Sequence, residues 1–330
     1  MATVSLAPAV QTLIDETPRG VPHHLSPAEQ REYLHLLSEL IFLRYGLPGP
    51  DVASVEDHEV PVAGGRILIR AYRSSDGALL PGHVTLHGGG WKVGSVTERV
   101  ADAICRQRCR DANCIVLSVD YRLAPEHRFP VPLDDCYTAL MWAVANADAL
   151  GLDADNISIG GASAGGNLAA AVTLRCRDEG GPRLRFQLLE VPALDLTRAT
   201  ARATLASGVL PDVPQPTMDD ATSTYLEDPA QARDPLASPL LAEDLSGLPS
   251  AHVMTAEYDV LRTEGKRYAE RLAAAGVPAT HQRYPGALHG TSMLTRTWEG
   301  ARQWQRDAAE ALRVAHWATA ERDEPRPVPA

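Results

Sequence analysis

Apolar positions change their rhythm three times along the chain. After Ser26-Pro-Ala-Glu29, a capping box with proline at the first helical position, Leu34, Leu37 and Ile41 recur at helical spacing together with Leu36 and Leu40. They predict a helix from Ser26 to Tyr45 with one broad apolar stripe, wide enough that something must lie beneath it, ended by Gly46-Leu-Pro-Gly-Pro50. The residues before it, 1–25, read as a mobile lead with a short amphipathic patch from Val10 to Ile14. Beyond it, Val55 to Val62 and Arg66 to Tyr72 alternate as two strands of a hairpin around Ala63-Gly-Gly65, so the sheet should start antiparallel.

From His83 the rhythm becomes strand, loop, helix, strand, helix, as in parallel βαβ units. Val84–His87 and Cys114–Asp120 read as buried strands, Thr97–Asn113 and Leu133–Leu150 as helices. Ile157 and Ile159 then supply a short strand that runs into Gly160-Gly161 and an Ala-rich helix. Leu184–Val191, Ala251–Thr255 and Thr280–Tyr284 continue the strands, with helices at Arg262–Ala275 and Thr297–Ala320. Between Asp195 and Ser246 the periodicity weakens and Pro and Asp accumulate, yet Leu205, Val209, Leu210, Met218 and Tyr225 remain to be packed. This is an insertion with short helices. The polar, Pro-rich end, 321–330, reads as disordered. The division is therefore an N-terminal cap segment, 1–50, an α/β core, 51–194 and 236–320, and a cap insertion, 195–235.

Length and charge narrow the field. A chain of 330 residues with 45% hydrophobic content can bury one large core with a small appendage. A net charge of -11 with only Lys92 and Lys266 as lysines leaves nucleic acid or an anionic membrane little to bind. No stretch reaches the length of a membrane span, and the start lacks a basic segment followed by an apolar run. Cys105, Cys109, Cys114, Cys136 and Cys176 sit in apolar or helical surroundings without a Cys-x-x-Cys pair. They read as buried small hydrophobes, without a metal, in a reducing and therefore cytoplasmic compartment.

Four stretches carry candidate chemistry. Gly161-Ala-Ser163-Ala-Gly165 is a Gly-x-Ser-x-Gly turn between strand and helix, which forces a serine into a strained conformation with its hydroxyl exposed over a helix N-terminus. His87-Gly88-Gly89-Gly90-Trp91 follows a strand, and its unshielded backbone N–H groups, at Gly88 and Gly89 with that of Ala164, could stabilise an oxyanion. Trp91 could line a substrate pocket or merely pack. Asp259 in Thr255-Ala-Glu-Tyr-Asp259 and His289 in Pro285-Gly-Ala-Leu-His289-Gly lie just beyond strand ends, where α/β sheets place their sites. The order Ser163, Asp259, His289 is that of α/β-hydrolases. Glu257 is the nearest substitute acid, and His23, His24, His35, His58 and His316 lie in segments with no partner motif.

These motifs, with Asp120-Tyr-Arg-Leu-Ala-Pro-Glu-His127, Asp234-Pro-Leu-Ala-Ser-Pro239 and Leu245-Ser-Gly-Leu-Pro249, make the chain from about His83 to Gly290 resemble the hormone-sensitive-lipase-type esterases, family IV of the bacterial lipolytic enzymes. The resemblance implies an α/β-hydrolase fold, a mostly parallel central sheet flanked by helices with a helical cap. It also implies cofactor-free hydrolysis of small, short- to medium-chain acyl esters by Ser163, His289 and Asp259. Two departures stand out: Val260 where many members have proline after the acid, and Thr291 where phenylalanine is frequent. The expected partner is a small-molecule ester, and a homodimer is left open. An amide, a lactone or a biosynthetic ester would leave the same motifs. A non-catalytic receptor on this fold, as in the plant gibberellin receptors, would lack the histidine.

Overall fold

The computed structural model describes residues 6–17, 24–77, 79–208, 210, 215 and 218–317. In chain order these form α1 (Pro8–Glu16), α2 (Pro27–Tyr45), β1 (Ser54–Val62), β2 (Gly65–Arg73), β3 (Leu80–Leu86), α3 (Arg99–Ala112), β4 (Ile115–Asp120), α4 (Val131–Ala145), α5 (Ala147–Leu150), β5 (Leu152–Ala162) and α6 (Ala164–Glu179). They continue as β6 (Phe186–Glu190), α7 (Ala199–Ala206), α8 (Met218–Tyr225), β7 (Ser250–Ala256), α9 (Arg262–Ala274), β8 (Ala279–Tyr284) and α10 (Glu299–Trp317). The eight strands make one sheet in the order β1-β2-β4-β3-β5-β6-β7-β8, antiparallel through β1, β2 and β4 and parallel from there on, as the hairpin and the βαβ rhythm predict.

Each face of the sheet is covered. β3 lies between two helical layers and is buried throughout, His83 and Thr85 included. α6 lies close on β5 because most of its inward residues are Gly or Ala, and α4 and α9 pack on the same side. On the other face α3 and α10 close over Tyr72, Cys105, Val116, Leu188, Met254 and Trp304. All five cysteines are free and buried, and burial pushes the Cys105 thiol up to about 11 and those of Cys109 and Cys176 to about 12. They are unreactive core residues.

Four expectations need correction. The lead is not featureless: Pro8–Glu16 is helical, and Val10 is fully buried against Tyr45, Leu288 and Leu294. Residues 1–5 and 18–23, His23 among them, lie outside the described residues. The capping box holds, with Glu29 N donating to Ser26 Oγ and Ser26 N to Glu29 Oε2, but the apolar residues of α2 split between two faces. Leu34, Leu37 and Ile41 turn inward, while Leu36, Leu40 and Leu43 are more than half exposed. The helix expected over Leu133–Leu150 breaks at Asn146, whose side-chain amide donates to the Trp142 carbonyl, and the short strand at Ile157 begins at Leu152. The insertion does form short helices, α7 and α8. Val209 and the tail 321–330 lie outside the described residues.

Candidate active site

β5 delivers Ser163 to the sheet's carboxyl edge, at the start of α6. The residue sits at φ 55° and ψ −113°, a conformation that costs a non-glycine residue roughly 1–3 kcal/mol. Its neighbours hold it there: Ser163 N donates to the Glu190 carbonyl at 2.8 Å, and the Ser163 carbonyl accepts from Asn167 N at 3.0 Å. The turn is tight enough that a Cβ on Gly165 would stand 2.0 Å from the Leu86 carbonyl oxygen, and one on Gly161 2.5 Å from it. These two glycines are required by space.

The loops after β7 and β8 bring the acid and the base to that serine. His289 Nε2 lies 2.9 Å from Ser163 Oγ, and His289 Nδ1 lies 2.7 Å from Asp259 Oδ2. With its Nδ1–H given to the carboxylate, the imidazole presents Nε2 as the acceptor of the serine hydroxyl. Asp259 is fully buried and its Oδ1 accepts from Leu261 N at 2.9 Å. Burial alone would lower the pKa of His289, but the charge and hydrogen bond of Asp259 outweigh it and raise the pKa above its ordinary value. Glu257 serves elsewhere: just past the end of β7, its carboxylate accepts from Gly286 N and braces the histidine loop.

A cavity of about 420 Å³ opens over these residues. Gly88, Gly89, Ser163 and His289 line it, with Leu34, Leu37 and Ile41 of α2 on one wall and Val100 and Ile104 of α3 on another. The amide N–H groups of Gly88, Gly89 and Ala164 donate to no partner among the described residues. Gly89 and Gly90 take positive φ, 121° and 60°, and a Cβ on Gly89 would stand 2.1 Å from the Val93 carbonyl oxygen. His87 underpins the loop, stacked on Tyr121 at 4.2 Å, with its Nδ1 2.8 Å from the Gly88 carbonyl.

Trp91, read as a candidate pocket residue, is not part of that lining. It is fully buried and stacked on Tyr225 of α8 at 4.4 Å, so it anchors the insertion. Nor does any described residue of 195–235 line the cavity: Leu205 is half exposed, and Leu210 and Met218 pack against the main core. The insertion reaches the site by another route that sequence reasoning missed. Gln215 Nε2 donates to the Tyr258 carbonyl and its Oε1 accepts from Val260 N, both at 3.0 Å, clasping the backbone on either side of Asp259. Arg122 and Glu126 are structural, with Arg122 doubly bonded to Asp135 and Glu126 paired with Arg31. Arg31 also donates to the Lys92 and Ala124 carbonyls, which ties α2 to the glycine loop.

No cluster of metal-ligating side chains and no helix long and apolar enough to cross a membrane occurs among the described residues. Residues 83–293 match the family model described as the alpha/beta hydrolase fold. The carboxylic ester hydrolase LipN of Mycobacterium tuberculosis is 42% identical over 81% of this chain and 72% of its own. An arylesterase of Saccharolobus solfataricus is 42% identical over 74% of this chain and 76% of its own. Among solved structures, a hyperthermophilic esterase from the archaeon Pyrobaculum calidifontis superimposes with a TM-score of 0.85 at 37% identity, covering 94% of this chain and 98% of that one.

Proposed function

We propose the following for a chain that belongs to the α/β-hydrolase family, among its hormone-sensitive-lipase-like esterases: it hydrolyses small carboxylic esters through an acyl-enzyme on Ser163. The observation that carries this reading is the hydrogen-bonded line Ser163–His289–Asp259 opening into a cavity beside the free N–H groups of Gly88 and Gly89.

Ser163 Oγ attacks the ester carbonyl carbon while His289 Nε2 takes its proton, and Asp259 stabilises the imidazolium that results. The carbonyl oxygen, now an oxyanion, is met by the N–H groups of Gly88, Gly89 and Ala164. Collapse of the tetrahedral species breaks the bond to the alkoxy oxygen, which leaves as the alcohol with the proton from His289. Water then repeats the sequence, giving its proton to His289 and its oxygen to the acyl carbon, and Ser163 recovers its hydrogen as the acid departs.

A cavity of about 420 Å³ lies toward the small end of ligand pockets, about 300–1,000 Å³. That size, with the apolar wall of α2, supports short- to medium-chain acyl esters and a capping role for the N-terminal segment. Free cysteines with raised pKa values support a reducing, cytoplasmic setting.

A panel of acyl esters, amides and lactones, run beside an organophosphate probe for reactive serines, tests the reading. Turnover confined to esters, falling from short to long acyl chains, with stoichiometric labelling of Ser163, is expected. Labelling of another serine, or faster cleavage of amides, would overturn it. Deleting residues 1–46 should cost activity and alter the chain-length profile, and a folded truncation with an unchanged profile would remove α2 from the site.

A further inference from the structure

The wall of the cavity is mostly apolar, with Ser38, Ser95, Glu98 and Ser292 set into it, and at one end it holds a buried ion pair. There Arg108 of α3 and Glu190 of β6, each 3% exposed, line it together with Thr85 and Ser118. We propose that this end is a subsite for an uncharged oxygen on the substrate, a carbonyl, ether or hydroxyl remote from the scissile bond, and that Arg108 donates to it. The proposal rests on the esterase reading above and adds a substrate class to it.

A guanidinium has five N–H donors. Among the described residues the Arg108 side chain donates only to Glu190, through Nη2; its Nε–H is enclosed without a partner, and Nη1, also unpartnered but not enclosed, is the donor left to meet a ligand in the cavity. Leaving a buried donor unpaired destabilises the fold, and more so when the donor is charged. A cavity meant for hydrocarbon alone would be cheaper to end with leucine, as its α2 wall is built. A ligand that brings an acceptor removes the cost at the moment it binds.

The charge balance chooses among acceptors. One Glu190 oxygen neutralises Arg108 and the other accepts from Trp304 Nε1 at 2.6 Å, so the carboxylate is fully engaged. A substrate carboxylate here would leave a net negative charge buried, and the desolvation of an uncompensated charge opposes its binding. A neutral oxygen incurs no such cost. The subsite is also joined to the reacting centre, because the Glu190 carbonyl is the acceptor of Ser163 N–H. Arg108 acts at a distance from the bond that breaks, so it sets specificity.

The competing occupant of the unpaired donor is an ordered water, and substrates separate the two. Matched nitrophenyl esters would be compared in which one methylene of the acyl chain is replaced by an ether oxygen, position by position, and acetates of the corresponding alkoxyalcohols would probe the other half. Each pair is corrected by its rate of hydroxide hydrolysis. One oxygen position should raise kcat/KM about tenfold over the all-carbon ester, the worth of one buried hydrogen bond. A carboxylate at the same position should fall below the all-carbon ester. Because Arg108→Met alone would strand Glu190, the test variant is Arg108→Met with Glu190→Gln, which keeps an acceptor for Trp304, and organophosphate labelling of Ser163 reports its folding. The oxygen preference should collapse to the hydroxide ratio in that variant. A preference that is absent at every position, that survives in the double variant, or that favours the carboxylate overturns the subsite while leaving esterase activity standing. Hydrolysis of neither member of any pair overturns both.

Discussion

Two serines, one within β5 and one just past its end, each sit against histidine, and only one of them is built to react. Ser163 follows β5 and faces a cavity, with His289 at 2.9 Å and a buried carboxylate behind that histidine. Ser158, within the same strand, lies 2.8 Å from His83 Nδ1 and 3.0 Å from His316 Nε2, with Asn156 behind His316 at 2.9 Å. The second cluster has no access: Ser158 and His83 are fully buried and none of the three lines the cavity. It also lacks an acid. Without a carboxylate, burial and the nearby positive charge of Arg108 drive His83 far below its ordinary pKa, and burial takes His316 to about 4. A Ser–His hydrogen bond is therefore not a reactive site. Reactivity here needs the strained turn, the carboxylate and the free N–H groups together.

The largest expected difference follows from exchanging each serine for alanine. Ser163→Ala should lower kcat by about 10⁶-fold, the scale at which removing a triad nucleophile operates, and should change stability little, since alanine keeps the same backbone strain and the lost hydroxyl lines a cavity rather than the core. Ser158→Ala should keep kcat within about threefold and cost about 1–3 kcal/mol of stability by stranding two buried imidazoles. Turnover of a short acyl ester and thermal unfolding, measured on the two variants, would erase the contrast if Ser158→Ala were the inactive one.

Next in size are the two acids near His289. Asp259→Asn leaves the imidazole in the wrong tautomer and should cost about 10⁴-fold in kcat. Glu257→Gln, which loosens only the Gly286 bond, should cost less than tenfold. The reverse ranking would transfer the acid's role to Glu257.

The two clusters also have opposite signs in pH. His289 must be neutral to act as base, and Asp259 raises its pKa, so kcat/KM should rise through a midpoint above 6.5, the ordinary histidine value. His289 protonated is held better in the folded chain than unfolded, so its stabilisation is present below pH 6.5 and is lost as pH climbs through its raised pKa. His316, held neutral down to about 4, does the reverse. Its stabilisation is complete above 6.5 and is lost as pH falls toward 4, by about 3 kcal/mol. Denaturant unfolding across this range in His316→Gln should show a shallower acid decline with the activity midpoint unmoved. A midpoint that shifted with His316 would join the two clusters.

The sequence made the triad readable because each member stands in a local signal, a serine between close-packed glycines and an acid and a histidine just past strand ends. Placement that depends on distant partners was not readable. α1 forms because Val10 meets Leu288, nearly the whole chain away, and a nine-residue helix has little stability of its own. In α2 the leucines recur at spacings that fit one wide stripe, and only the docked helix shows that Leu36 and Leu40 face outward. Trp91 adjoins the glycine loop in sequence, but its positive φ of 59° turns it toward Tyr225. Arg108 and Glu190 pair across 82 positions, and neither carries a motif.

The smallest predicted effect tests whether the insertion helps to set the acid. Val260 stands where a proline would have no N–H, and that N–H is what Gln215 Oε1 receives, while its Nε2 holds the Tyr258 carbonyl. Gln215→Leu removes both bonds, frees Asp259 to drift from His289, and should lower kcat about tenfold, two bonds near the low end of the net range for neutral hydrogen bonds. The drift also weakens the carboxylate's hold on the imidazole. The activity midpoint should therefore move to lower pH, which a purely structural loss would not do. In Val260→Pro one of the two bonds is already gone, so adding Gln215→Leu should cost visibly less than it does in the natural chain. Equal costs in both backgrounds, or a fall in unfolding temperature with the pH midpoint fixed, would show that Gln215 merely packs the insertion.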